Sequence, residues 1–213
     1  MYLSRAELDP ARRSTMIALS SPQKLHGAVE NSFSGERRRR LWRLDTLGGK
    51  LYLLVLSEEV PDLTGLCAQF GTGAAPETRP YEPLLERVTP GSCWQFRLTA
   101  NPTHSRKDPT DPLARGVLKP CYLEMEQEEW LLEQAEKHGF RLPEGAFRVT
   151  RKQTYHFLKE GRRSVTLLAV TYEGILQVTD PNAFRALLCH GIGRGKAYGL
   201  GLMTILRGGN SHG

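Results

Sequence analysis

Cysteine is too sparse and too scattered in this 213-residue sequence to organise a metal site or a redox pair. The four, Cys67, Cys93, Cys121 and Cys189, make no CxxC or CxxxH spacing, which argues against zinc-ribbon and thioredoxin-like motifs and leaves them as reduced core residues. No metal and no cofactor is therefore expected. No apolar run approaches the roughly 18 residues of a membrane span. The amino-terminal MYLSRAELDP alternates as a strand does and lacks the apolar stretch of a signal peptide. A soluble cytoplasmic protein without a membrane partner is the expectation. Nucleotide motifs are missing too. The glycine-rich HGIGRGKAYGLG at 190–201 has His190 where a Walker motif needs glycine and Ala197 where it needs Ser or Thr, and GxGxxG meets Lys196 or Tyr198 at its last place. Its order is also reversed, because a helix ends at His190-Gly191 and the glycines lead into a strand, so the negative end of the helix dipole faces the loop. Acid is the scarcer charge, with 23 Asp+Glu against 29 Lys+Arg and a formal charge of +6. The resulting pI of 9.3 suits a polyanionic partner.

What is present reads as one element order given twice. Tyr2, Leu3, Ala6 and Leu8 suggest a strand ending at Asp9-Pro10. A helix follows, capped by Ser20 or Ser21, with Pro22 in its first turn and Leu25, Val29 and Phe33 on its buried face. LWRLD and LYLLVL form a hairpin around Gly48-Gly49, DLTGLCAQF a short helix, and SCWQFRLTA a closing strand. The polar, proline-bearing NPTHSRKDPTDP reads as a linker. A second pass begins with a strand near 116–123 and the helix in EMEQEEWLLEQAEKHGF. The strands FRVTRKQTYHFL and RRSVTLLAVTYEGILQV follow, turning at Glu160-Gly161. A helix capped by Asp180 and opened by Pro181 then leads to the strand GLGLMTILR. The spacing predicts an α+β chain of tandem ferredoxin-like (RRM-like) β-α-β-β-α-β domains over 1–105 and 116–213, joined by a linker at 106–115.

Several side chains could meet a polyanion. Gly191, Gly193, Gly195, Gly199 and Gly201 leave backbone amides bare beside Arg194 and Lys196, a loop able to embrace an extended phosphate backbone. Arg148, Arg151, Lys152, Lys159, Arg162 and Arg163 flank the second hairpin, whereas a run such as RRRR at 37–40 reads first as a solvated face. The acidic helix from Glu124 to Glu136 should turn away from such a partner. The alternating aromatics of an RRM are absent, so reading by stacked bases is not expected to dominate. His104, His138, His156, His190 and His212 make no metal spacing. His26 lies about 100° around its helix from Leu25, at the edge of the apolar face.

The run YEGILQVTDPNAFRALLCHGIGRGKAYGLGLMTI closely resembles the carboxy-terminal signature of the CasE-type CRISPR repeat-RNA endoribonucleases, a subunit of the type I-E Cascade complex. FRLTANPTHSR, WLLEQAEKHGF and MYLSR resemble blocks of the same family in the expected order. The resemblance implies tandem ferredoxin-like domains. It also implies a metal-independent cut at the base of each CRISPR repeat stem-loop, in which the RNA 2′-hydroxyl attacks the adjacent phosphate and leaves a 2′,3′-cyclic phosphate or 3′-phosphate. The implied partners are the mature crRNA, which stays bound, and other Cascade subunits. In that family the key acid/base group is a histidine preceded three residues earlier by tyrosine. Here the stretch is QKLH, so the resemblance assigns His26 as catalytic while Gln23 stands in the tyrosine's place. Lys24, Tyr2 or Tyr52 are candidate replacements for the missing phenol. The alternative is a non-catalytic repeat-RNA-binding subunit of the same complex.

Overall fold

Alternate burial of Ser4, Ala6 and Leu8 sets the first strand, β1 (Tyr2–Leu8), and the chain then makes two short helices, α1 (Arg13–Ser20) and α2 (Pro22–Glu30). The computed structural model describes residues 1–36, 38–106, 116–159 and 163–207. Pro22 opens α2, where its missing N–H costs no hydrogen bond. Leu25 and Val29, one turn apart, are buried against the sheet. The helix at Arg13–Ser20 is not legible in the sequence, since it has no side-chain cap and buries only Thr15 and Ala18. β2 (Leu41–Leu47) and β3 (Lys50–Ser57) form the expected hairpin, with Gly48 and Gly49 at φ +56° and +78° supplying its turn. α3 (Thr64–Phe70) and β4 (Glu77–Pro80) complete a four-stranded antiparallel sheet in the order β2-β3-β1-β4.

The closing strand of this sheet differs from the expectation. SCWQFRLTA does not close the amino-terminal sheet: after α4 (Glu82–Glu86) the strand β5 (Cys93–Ala100) enters the second sheet, flanked there by two later strands. Its inward residues Trp94, Phe96, Leu98 and Ala100 share an apolar cluster with Trp130, Leu131, Phe184 and Leu188, and that packing decides its place. The strand that closes the first sheet, β4, has all four residues exposed, so alternation could not announce it. The boundary between the sheets therefore falls between Pro80 and Cys93. The segment near 116–123 is not the first strand of the second unit either. β6 (Thr103–Arg106) and β7 (Val117–Pro120) pair only with each other among the described residues, as a side hairpin. Of the expected linker 106–115, Arg106 lies in β6 and the rest lies outside the described residues.

The second sheet repeats the ferredoxin-like order. After α5 (Glu124–Lys137) and the two-residue β8 (Phe140–Arg141) come the long strands β9 (Phe147–Lys159) and β10 (Arg163–Val178), then α6 (Pro181–His190) and β11 (Met203–Arg207). The neighbours run β11-β5-β10, with β9 on the free side of β10 and β8 at its far end. α6 starts as read from the sequence: the Asp180 carboxylate accepts from the amides of Asn182 at 2.9 Å and Ala183 at 3.2 Å, a cap worth about 1 kcal/mol. The turn at Glu160-Gly161 lies outside the described residues. No helix among the described residues is long and apolar enough to cross a membrane.

The two units share one core. Leu41, Leu54 and Leu56, on the sheet face away from α2, belong to the same cluster as Phe184, Leu187 and Leu188 of α6. Beside it Arg43, 1% exposed, reaches from β2 to the other unit. Its guanidinium donates twice to Asp45, at 2.9 and 2.6 Å, to the carbonyls of Arg97 (2.7 Å) and Leu202 (2.6 Å), and to Thr204 Oγ1 (2.6 Å). A buried charge with this many partners fixes the relative placement of the units, since sliding either one would strand it.

Candidate active site and nucleic-acid interface

The glycine loop is a fitted joint between the units. Gly191, Gly193, Gly195, Gly199 and Gly201 all have positive φ. Gly191 leaves α6 over the side chain of Leu41, where a Cβ would come within 2.9 Å of both methyls. Gly195 (φ +82°) and Gly199 (φ +80°) bracket a single 3₁₀ turn, Lys196–Tyr198. Trp42 of β2 donates its indole N–H to the Ala197 carbonyl at 3.2 Å, pinning this turn to the first unit. The sequence alone leaves two purposes open for Gly193 and Gly199, closeness to RNA or to the first helix; in the structure the glycines serve close approach of backbone to protein.

This turn lies against α2 and presents Tyr198 to His26. The two rings meet edge to face, with centroids 6.2 Å apart and planes at 63°. Phe157 of β9 packs on the same tyrosine at 4.9 Å and 58°. His26, Phe157 and Tyr198 are all half-buried, so three elements distant in sequence converge at one partly open position. Neither Tyr198 nor Phe157 is marked as a site residue by the sequence. Tyr198 is noticeable there only as the large side chain of the glycine loop, and no spacing rule pairs it with a histidine more than 170 positions earlier.

The candidate substitutes for the missing phenol are placed elsewhere. Tyr52 lies on the sheet face that joins the shared core, opposite the face that packs on Leu25, and its hydroxyl bonds Glu7 at 3.3 Å. Tyr2 opens β1 opposite Ser57 and Pro80. Lys24 is exposed and stands about 200° around α2 from His26. Glu30, one turn beyond His26, takes an ion pair from buried Arg40 at 3.0 Å, and Arg40 in turn stacks 3.9 Å over the Phe33 ring.

Cations from several elements lie on or near the glycine loop, in unequal roles. Lys196 is half-buried, and its pKa is pushed below the ordinary lysine value, first by burial and then by the charge of Arg39. His138, at the end of α5, is pushed down by burial and then by Lys196. Lys196 thus sits in a cluster of like charge, which an anion would relieve. Arg194 is exposed and its backbone bridges to Asn101. The arginine run is not one solvated face: Arg38 pairs with Glu58 at 2.8 Å, Arg39 is exposed with its charge felt at Lys196, Arg40 is buried, and Arg37 lies outside the described residues.

Along the second-unit hairpin the basic set divides by strand alternation. Arg151, Gln153 and Tyr155 line a cleft of about 640 Å³ between β9, β5, β2 and the first helices, which Tyr198 also lines. Phe157 continues the same row. Lys152 points the other way and pairs with Glu124 of the acidic helix at 2.6 Å. Arg148 is exposed and lines a neighbouring hollow. Arg162 lies outside the described residues, as do the side chains of Lys159 and Arg163 at the hairpin end. The cleft also holds Arg97, whose Nε donates to Glu173 at 2.6 Å, so its walls are close to charge-balanced. Among the described residues no three His, Cys, Asp or Glu side chains gather as metal ligands.

Comparison with known proteins shows the family and the fold. Residues 1–207 match the family described as CRISPR associated protein. The chain is 31% identical over 223 residues to the CRISPR-associated endoribonuclease Cse3 of Thermus thermophilus, an alignment covering 96% of this chain and 99% of that protein. A solved structure of Cse3 bound to a 19-nucleotide RNA superposes with a TM-score of 0.79 at 30% identity, covering 97% of this chain and 100% of the other. Thermus thermophilus Cse3 bound to an RNA representing a pre-cleavage complex gives 0.76 at 30% identity, covering 96% and 98%. The CRISPR-associated protein Cas6e of Escherichia coli K-12, at 23% identity and a TM-score of 0.68 over 96% and 98%, shares the fold.

Proposed function

The chain belongs to the CRISPR-associated protein family, and on that footing we propose that it is an endoribonuclease that cuts CRISPR precursor RNA at the base of each repeat stem-loop and keeps the product bound. The observation that carries the reading is the convergence of His26 with the cation-bearing glycine loop at the junction of the two units. Near-full-length similarity to an endoribonuclease with RNA-bound structures supports it.

The chemistry asks little of the protein beyond placement and charge. The 2′-hydroxyl of the scissile nucleotide loses its proton as its oxygen bonds to phosphorus, and the 5′-oxygen leaves with a proton gained. A 2′,3′-cyclic phosphate and a 5′-hydroxyl result. His26 is the group for one of these transfers, since an imidazole changes protonation near neutral pH. Half-buried Lys196 and exposed Arg194 supply the charge that the phosphorane needs, and the burial of Lys196 makes its charge count for more. The RNA stem lies along the β9–β10 hairpin, with Arg151 and Arg148 against phosphates. A-form RNA hides the base edges of its major groove, so contact is by phosphate, shape and 2′-hydroxyl. Lys152, already paired with Glu124, contributes less. No metal takes part, and the product-bound protein serves within Cascade.

The test is incubation of purified protein with a repeat RNA in EDTA. One cut, abolished by a 2′-deoxy substitution at the scissile nucleotide, is expected. Retention of RNA with no cut would make the chain a binding subunit only. A cut that needs added metal would remove the metal-free mechanism.

A further inference from the structure

We propose that Tyr198 is a positioning residue for His26, and that Phe157 ties this position to the hairpin that holds the RNA stem. The proposal rests on the assignment of His26 as the acid or base of cleavage. Three observations lead to it. The Tyr198 ring meets His26 edge to face at 6.2 Å, a geometry in which the electron-rich face of one ring receives the positive edge of the other. Tyr198 cannot drift, because the turn that carries it is bracketed by two left-handed glycines and held by the Trp42 indole on Ala197. Its other side is occupied by Phe157 at 4.9 Å, on the row of β9 that also carries Arg151 toward the cleft.

The order of contacts gives the arrangement its purpose. His26 stands on α2 of the first unit and the proposed stem contacts stand on the second. Tyr198 of the second unit, backed by Phe157, meets the imidazole. RNA seated on the hairpin would settle β9, β9 holds Phe157, Phe157 backs Tyr198, and Tyr198 sets the plane of the His26 ring. Position 23, where the resemblance places a tyrosine, holds glutamine; here an aromatic ring reaches the histidine across the junction. The role belongs to the ring, so the hydroxyl is dispensable.

Single-turnover cleavage at saturating protein, with RNA affinity measured on the same preparations, tests this. Tyr198→Phe keeps the ring and is expected within about threefold of the parental rate. Tyr198→Leu should cut about 30- to 100-fold more slowly at unchanged affinity, the scale of a misplaced catalytic group. Phe157→Leu, which leaves the loop untouched, should slow cleavage about tenfold, and it carries the test if Tyr198→Leu does not fold. In the His26→Ala background neither change should slow the residual rate further, because both act through the histidine. The pH titration of the His26 imidazole, followed by NMR in the free protein, should shift in Tyr198→Leu and not in Tyr198→Phe. A Tyr198→Phe rate as low as that of Tyr198→Leu would overturn the proposal by giving the phenol the chemistry. Parental cleavage by Tyr198→Leu, or equal loss of rate and affinity, would overturn it too. If His26→Ala itself cuts at the parental rate, the catalytic assignment falls; if His26→Ala is dead and Tyr198→Leu is normal, only the positioning role falls.

Discussion

Gly199→Ala adds a single methyl at the joint between the units, and its cost can be worked out from two separate sources. The backbone there is left-handed, φ +80° and ψ +22°, which an L side chain accepts at about 1–2 kcal/mol. The new Cβ would also stand 2.5, 2.8 and 2.9 Å from three ring carbons of Trp42. Trp42 is 2% exposed and its N–H is committed to Ala197, so the ring cannot swing aside. Overpacking of this kind costs about 1–3 kcal/mol. The sum is about 2–5 kcal/mol. Gly49→Ala is the control, because Gly49 has φ +78° and an added methyl there would meet no described atom within 4 Å, leaving only the backbone cost. Urea unfolding of the two variants should therefore differ by about 1–3 kcal/mol, or roughly 2–12 °C in Tm for a chain of this size. Because Tyr198 directly precedes Gly199, the methyl should also slow RNA cleavage, while Gly49→Ala should not. Equal stabilities within about 0.5 kcal/mol would refute the claim that the loop glycines exist for close packing on the first unit.

Three further outcomes follow from the same structure. Arg43→Met should destabilise by about 3–5 kcal/mol in denaturant unfolding, because it leaves Asp45 buried with only the more distant Arg97, at 3.7 Å, as a cation among the described residues; Arg43→Met with Asp45→Leu should recover part of that loss, and a single variant within about 1 kcal/mol of the parent would contradict the clamp. Lys196 has a folded-state pKa below its unfolded one, so between the two values the unfolded chain holds more protons, stability rises with pH through that window, and the penalty is fully present at neutral pH. Lys196→Met should thus melt at or above the parental temperature at pH 7 while binding RNA more weakly, and a melt several degrees lower would show that the charge stabilises the fold. Affinity for the repeat stem should fall about a thousandfold between 50 and 200 mM salt if about six phosphates are neutralised, whereas a flat titration would contradict a phosphate-based interface.

The ferredoxin-like repeat is legible because its helices and long strands carry strong local signals. Asp180-Pro181 announces α6, and Gly48-Gly49 announces the first hairpin. The sheet to which a strand belongs is a tertiary matter. Cys93–Ala100 has the same alternating pattern whichever sheet receives it, and β4 buries nothing, so the sequence places the boundary too late. His26 is legible through the family pattern, and by helical geometry alone it is an ordinary edge residue. Its aromatic partners are hidden because their meeting depends on how two units dock, which rests on the buried Arg43 and on Trp42 over the loop. The basic hairpin is visible as charge, but only strand alternation with Glu124 in place separates Lys152 from Arg151.

The central claim, that His26 moves a proton in a metal-free cut of repeat RNA, is met most directly by His26→Ala in EDTA, with single-turnover cleavage and RNA affinity read from the same preparation. The expected result is a rate lower by about 10² to 10⁴ with affinity unchanged, since acid or base participation has that weight and one imidazole adds little to a phosphate-based contact surface. Cleavage within about threefold of the parent would contradict the claim, because so small a change cannot be the loss of a catalytic acid or base.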